Sequence, residues 1–265
     1  MLELLSYSFM QKALLGGVGI AICCGLLGPF LVLKKMSLLG DGLAHFAFGG
    51  VALGFLLGIN PLIAALIAAI SGSFLIRALM KKNVYGDTAI ALILSLGVGV
   101  GIVVIGITRG FTVSLYSYLI GSILALSWFD LGFIFALLVF IILFLSFFYK
   151  KMLFVTFNEE LAQLSIKRIS LPTILFTLLV AVTVVISIRA VGILLVSALI
   201  VIPTMIALSL SRSFLQTLTL SVIAAVITVL LGIVISFILD IPPSGSIVLL
   251  LLVGFLGATL CRRLK

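Results

Sequence analysis

Apolar residues run along this chain in blocks close to the roughly 20 residues that an α-helix needs to cross a bilayer. The pattern predicts nine such helices, at 13–33, 38–58, 61–80, 87–108, 129–149, 171–188, 192–211, 214–239 and 243–261. Runs such as Leu131–Phe148 and Ile247–Leu260 show no two-residue alternation, whereas strands of a membrane barrel alternate over about ten residues. A shorter apolar stretch, 111–127, is a tenth candidate that either spans or dips in and returns. The expected fold is therefore all-α and polytopic, a single membrane domain over 1–265 with no soluble domain, linker or repeat.

Composition agrees with a lipid solvent. The 265 residues are 64% hydrophobic and 9% charged, with mean hydropathy +1.54. A soluble domain carries roughly 25% charged residues. So few polar groups cannot cover a water-facing surface, and the backbone must be satisfied within helices. The net charge of +9 does not point to nucleic acid, because the basic residues form small clusters between apolar runs. Those clusters are Lys34–Lys35, Arg77 with Lys81–Lys82, Lys150–Lys151 with Lys167–Arg168, Arg212, and Arg262–Arg263 with Lys265. With nine spans, and 111–127 re-entrant or lying on the surface, all of them fall on one face. The positive-inside rule makes that face cytoplasmic, the N-terminus external and the C-terminus cytoplasmic. Glu3 and Lys12 precede the first run without a cleavage pattern, so the first helix is expected to stay in the membrane.

Glycines crowd two spans: Gly42, Gly49, Gly50, Gly54 and Gly58 in the second, Gly97, Gly99 and Gly101 in the fourth. Small residues let helix backbones approach, so close packing is expected there. Pro203 predicts a kink or break in the seventh span. Cys23, Cys24 and Cys261 give no disulfide framework, and packing is their expected role over metal ligation.

Chemistry concentrates in Asp41-Gly-Leu-Ala-His45. An i, i+4 spacing places both side chains on one helix face. A carboxylate near a bilayer core costs roughly 2.5–3.5 kcal/mol and needs a reason to be there. Carboxylate and imidazole together suit Zn²⁺, Mn²⁺ or Fe²⁺. Two ligands do not complete a four-coordinate site, whereas a symmetric dimer would bring two pairs to one axis. A plainer reading stays open: Asp41 stands six residues beyond Lys35 and would pair with it, and a lone histidine is often a hydrogen-bonded core residue.

A second constellation lies between the fifth and sixth spans, Thr156-Phe-Asn-Glu-Glu-Leu-Ala-Gln-Leu-Ser-Ile166. Thr156 with Glu159 fits a capping box, with Asn158 as the alternative cap. The short amphipathic helix that follows is acidic at its start, where lipid-lying helices are usually basic; a cytosolic partner is the favoured reading. Arg109 and Arg189 fall on the external face, either as anchors for an acidic partner or as snorkelling side chains. A phosphate-binding Gly-x-x-x-x-Gly-Lys-Ser/Thr loop and a His-Glu-x-x-His motif are both absent, so neither ATP hydrolysis nor zinc-protease chemistry is expected.

Three stretches carry a family likeness: Phe30–Gly54, which contains the Asp41/His45 motif; Phe154–Ala162; and Val191–Thr204. On these the chain resembles the permease subunits of bacterial ATP-binding-cassette importers for zinc, manganese or iron. Ala44, Gly49 and Ser165 depart from residues common in that family. The resemblance implies a multi-pass plasma-membrane permease without enzymatic activity or a resident cofactor. It would work as a homodimer or a paired heterodimer, above two cytosolic ATPase subunits and below an extracytoplasmic metal-binding protein. It assigns Asp41 and His45 to the metal path. A coupling helix at about 157–166, with Phe157, Asn158, Glu159, Glu160, Leu161 and Ala162, would seat in the ATPase, and Arg109 and Arg189 would meet the binding protein. An ion-coupled carrier acting without an ATPase is the alternative.

Overall fold

The computed structural model describes residues 7–108, 121, 123, 126–165 and 170–263, the side chains of Glu160, Gln163, Arg262 and Arg263 excepted. Ten helices are found among them: α1 (Ser8–Leu33), α2 (Leu39–Leu57), α3 (Pro61–Lys81), α4 (Gly86–Ile107), α5 (Trp128–Phe157), α6 (Glu159–Ser165), α7 (Ser170–Val191), α8 (Ile193–Leu210), α9 (Phe214–Leu239) and α10 (Pro243–Arg263). All but α6 are long and apolar enough to cross a membrane, which makes nine spans among the described residues. Helices α1, α2 and α7 are the most enclosed, while α3, α9 and α10 present most of their apolar surface outward, as lipid permits.

Helix directions follow from side-chain registers. Gly42 lies against Ile90, Gly49 against Gly97 and Phe48 against Gly101, so α2 and α4 run parallel. Gly16 faces Leu131 and Gly19 faces Ile134, so α1 and α5 are parallel too. Gly50 and Gly54 meet Ala64 whereas Gly72 meets Phe46, which makes α2 and α3 an antiparallel hairpin. The end of α4 and the start of α5 therefore lie on the same face. Most of 111–127, the tenth candidate span, lies outside the described residues.

The basic ends gather on the opposite face. Phe214, at the start of α9, packs on Phe30 of α1 and on Tyr149 and Phe157 of α5, with ring centroids 4.9, 6.1 and 6.2 Å apart. Phe30 also meets Phe176 of α7 at 5.8 Å. Four helices are thereby pinned together close to Lys34, Lys150 and Arg212.

Three local expectations change. Helix α5 does not stop near 149 but carries Lys150 and Lys151 on to Phe157, because Leu-Phe-Val-Thr-Phe after them continues an unbroken helical run. Helix α8 is continuous through Pro203, so no break occurs there. Only Gly192 separates α7 from α8, with φ of 81°, a left-handed value that a side chain would resist. A Cβ on Gly121 would collide with Gly192, so this turn is packed backbone on backbone.

Candidate functional site

Helix α2 begins inside the bundle. Gly40 lies against the tip of Ile200, the eighth residue of the 18 in α8, about 10 Å along that helix at 1.5 Å per residue. Asp41 and His45 are consequently set well within the helical layer. Gly97 of α4 fixes their stretch from behind, since a Cβ there would strike the backbone of Phe46 and the carbonyl oxygen of His45.

His45 Nε2 stands 3.6 Å from Asp41 Oδ1, too far for a hydrogen bond. An ion bonded to both atoms at about 2.1 Å would see them roughly 120° apart, an acceptable angle for a tetrahedral or more open site. The hydroxyl of Ser197, on α8, donates to the same Oδ1 at 3.0 Å. The side chains remain partly open, 31% for Asp41 and 26% for His45. Asp41 makes no ion pair with Lys35, which is exposed; the plainer surface-pairing reading does not describe this geometry. Among the described residues no group of three or more His, Cys, Asp and Glu side chains comes together. One chain thus offers two strong ligands and a hydroxyl. Cys23 and Cys24 are buried in α1 and join no such group.

Ser197 was not singled out from the sequence. A signal existed, since it is the only polar side chain between Arg189 and Thr204. What sequence could not supply is the contact between α8 and α2, 156 residues apart.

At the basic end, α6 is capped by Asn158, whose Oδ1 accepts the Leu161 N–H at 3.0 Å. Thr156 is not the cap: its hydroxyl donates to the Met152 carbonyl at 2.7 Å, inside α5. Ala162 is buried against Val155 and Phe154, leaving Phe157, Leu161 and Leu164 exposed. Lys34 Nζ lies 3.3 Å from Glu159 Oε2. The side chain of Glu160 lies outside the described residues.

At the other end Arg189 closes the last turn of α7 and forms an ion pair with Asp130 Oδ1. Asp130 Oδ2 accepts the Ser127 hydroxyl at 2.6 Å and the Ser127 N–H at 3.0 Å. The Asp130 N–H in turn donates to the Ser127 hydroxyl, completing a capping box at the start of α5. Arg189 therefore has a partner within this chain. Arg109 lies outside the described residues.

Residues 6–262 match the family model of the ABC 3 transport family. The chain belongs to the ABC 3 transport family. It is 32% identical over 248 residues to the manganese transport system membrane protein MntC of Halalkalibacterium halodurans, covering 93% of this chain and 85% of that one. It is 31% identical over 251 residues to the manganese import system permease protein ScaB of Streptococcus parasanguinis, covering 94% and 89%. Among solved structures it is similar to PsaBC from Streptococcus pneumoniae in complex with Fab, with a TM-score of 0.85, 28% identity and 97% and 93% coverage. This member of the family is a multi-pass membrane protein built on the fold described above.

Proposed function

We propose that this chain is the permease subunit of an ATP-driven importer of divalent metal ions, with Mn²⁺ as the favoured cargo. The observation that carries the reading is the Asp41–His45–Ser197 cluster, a polar, partly open set of donors on two helices in an otherwise apolar bundle. Two carboxylate oxygens, a hydroxyl and one imidazole form an oxygen-rich set that suits a harder ion than the soft thiolate sites do. The manganese transport relatives MntC and ScaB point the same way.

In this reading the protein sits in the bacterial plasma membrane with its N-terminus outside and its basic, C-terminal face in the cytosol. An extracytoplasmic binding protein releases the ion at the outer mouth. Asp41 and His45 of two copies then take it between them, four strong ligands in place of two. Ser197 donates to Asp41 Oδ1 and so orients the carboxylate for the ion. A cytosolic ATPase pair, a separate subunit, receives the exposed Phe157, Leu161 and Leu164 around α6, with Asn158, Glu159, Glu160 and Ala162 completing the coupling segment. Nucleotide-driven closure moves α6 and opens the inner mouth. Arg189 keeps the outer ends of α5 and α7 together through Asp130, and its half-exposed side chain, with Arg109, is the docking point in this reading for acidic residues of the binding protein.

The test is metal uptake into vesicles reconstituted with this chain, its ATPase and its binding protein. Mn²⁺ should accumulate only with ATP, and Asp41→Ala or His45→Ala should abolish uptake while the ATPase still copurifies. Accumulation by this chain alone, driven by an ion gradient, would favour a carrier instead. Normal uptake in both variants would remove the site.

A further inference from the structure

The short helix α6 is joined to the rest of the bundle by little. Its apolar anchor, Ala162 on Val155 and Phe154, forms a small cluster separate from the main core and lies wholly at the α5–α6 junction. Among the described residues, an ion pair between Glu159 and Lys34 reaches from α6 to the cap of α1.

Lys34 is unusual for a lysine at a membrane face. Such side chains ordinarily extend into water. Here the side chain is 7% exposed, while its partner carboxylate is 43% exposed. A buried ammonium with one carboxylate partner is costly to separate from it, so the two ends of the pair tend to move together.

Beyond Lys34 the chain has no slack. Lys34 caps α1, and Lys35 takes a left-handed φ of 57°. The Lys35 N–H donates to Val32 O and the Met36 N–H to Leu31 O, both at 3.0 Å. This is the hydrogen-bonded hook that closes helix C-termini. The Leu39 N–H then donates to Met36 O at 3.0 Å, and the Gly42 N–H to Leu38 O at 2.9 Å, which starts α2 directly. Met36 and Leu39 are both buried. Asp41 sits in that first turn of α2.

We infer that Lys34 is a positioning residue that ties α6 to the metal-facing start of α2, so that displacement of α6 shifts Asp41 through the Glu159–Lys34 pair and the hook at Lys35–Leu38. The inference rests on the permease reading above. It differs from simple docking of α6, because it assigns transmission to the residue that caps α1, behind the docking surface.

The test uses the full reconstituted complex and measures, in the same vesicles, Mn²⁺ taken up and ATP hydrolysed. Lys34→Met and, separately, the milder Glu159→Gln should each lower the metal moved per ATP by about ten-fold, the upper part of the range for coupling residues. The paired exchange of Lys34→Glu with Glu159→Lys should recover most of the ratio that either single charge reversal loses. A purely structural role would lower transport and hydrolysis together and leave their ratio unchanged. An unchanged ratio in Lys34→Met and Glu159→Gln, or a paired exchange no better than the single reversals, overturns the inference alone. A wild-type complex that hydrolyses ATP but moves no metal overturns the permease reading and this inference with it.

Discussion

Among the described residues, two aspartates lie near a cationic or ionisable partner, and they differ in how far their charge is satisfied. Asp130 is closed. Its side chain is 9% exposed, both oxygens are engaged, and its charge is met by Arg189 and by the capping box with Ser127. Asp41 is open. His45 Nε2 lies just beyond hydrogen-bond reach, and Ser197 supplies one neutral donor to Oδ1. A satisfied carboxylate holds helices together, whereas an under-satisfied one within an apolar layer is disposed to accept a cation.

Carrying Asp41→Ala and Asp130→Ala through the same two assays should break them apart in opposite directions. Asp41→Ala should lose uptake and keep its thermal stability in detergent, since loss of the Ser197 hydrogen bond is offset by removing a charge from the apolar layer. Asp130→Ala should lose about 1–3 kcal/mol of stability, from the missing cap and the stranded guanidinium, the half-exposed Arg189 keeping the value below that of a fully buried pair. Its uptake per folded molecule should be close to wild type. Equal behaviour in both assays would end the distinction. A smaller effect sharpens the open side. Ser197→Ala should raise the apparent KM for Mn²⁺ by about ten-fold with little change in maximal rate, the magnitude typical of a group that orients a ligand, and Ser197→Thr should restore it.

Much of the fold was legible because bilayer physics leaves few choices. Nine apolar blocks of the right length became nine helices, with boundaries within a few residues except at α5. Gly42, Gly49, Gly50, Gly54, Gly97 and Gly101 pointed correctly to close packing around α2, since small residues let helix backbones approach, whereas Gly58 and Gly99 face open space. Of the candidate site, the i, i+4 pairing of Asp41 and His45 is local and could be read directly. Ser197, the Lys34–Glu159 pair and the Arg189–Asp130 pair are long-range, and periodicity carries no information on which helices neighbour one another. Arg189 illustrates the point: as a lone external cation it read as either a docking group or a snorkelling side chain, and only the adjacency of α5 and α7 supplies its internal partner. The end of α5 was misplaced for a different reason. Lys150 and Lys151 mark where lipid ends, but a helix has no need to stop at the membrane surface.

The central claim is that Asp41 and His45 of two copies share one ion. It is tested most directly with purified dimers in which one copy carries Asp41→Ala and the other is wild type, reconstituted with ATPase and binding protein. A shared site predicts Mn²⁺ uptake nearly as low in the mixed dimer as in the doubly substituted one. Uptake at half the wild-type rate, or above it, would mean that each chain carries its own path and would contradict the account.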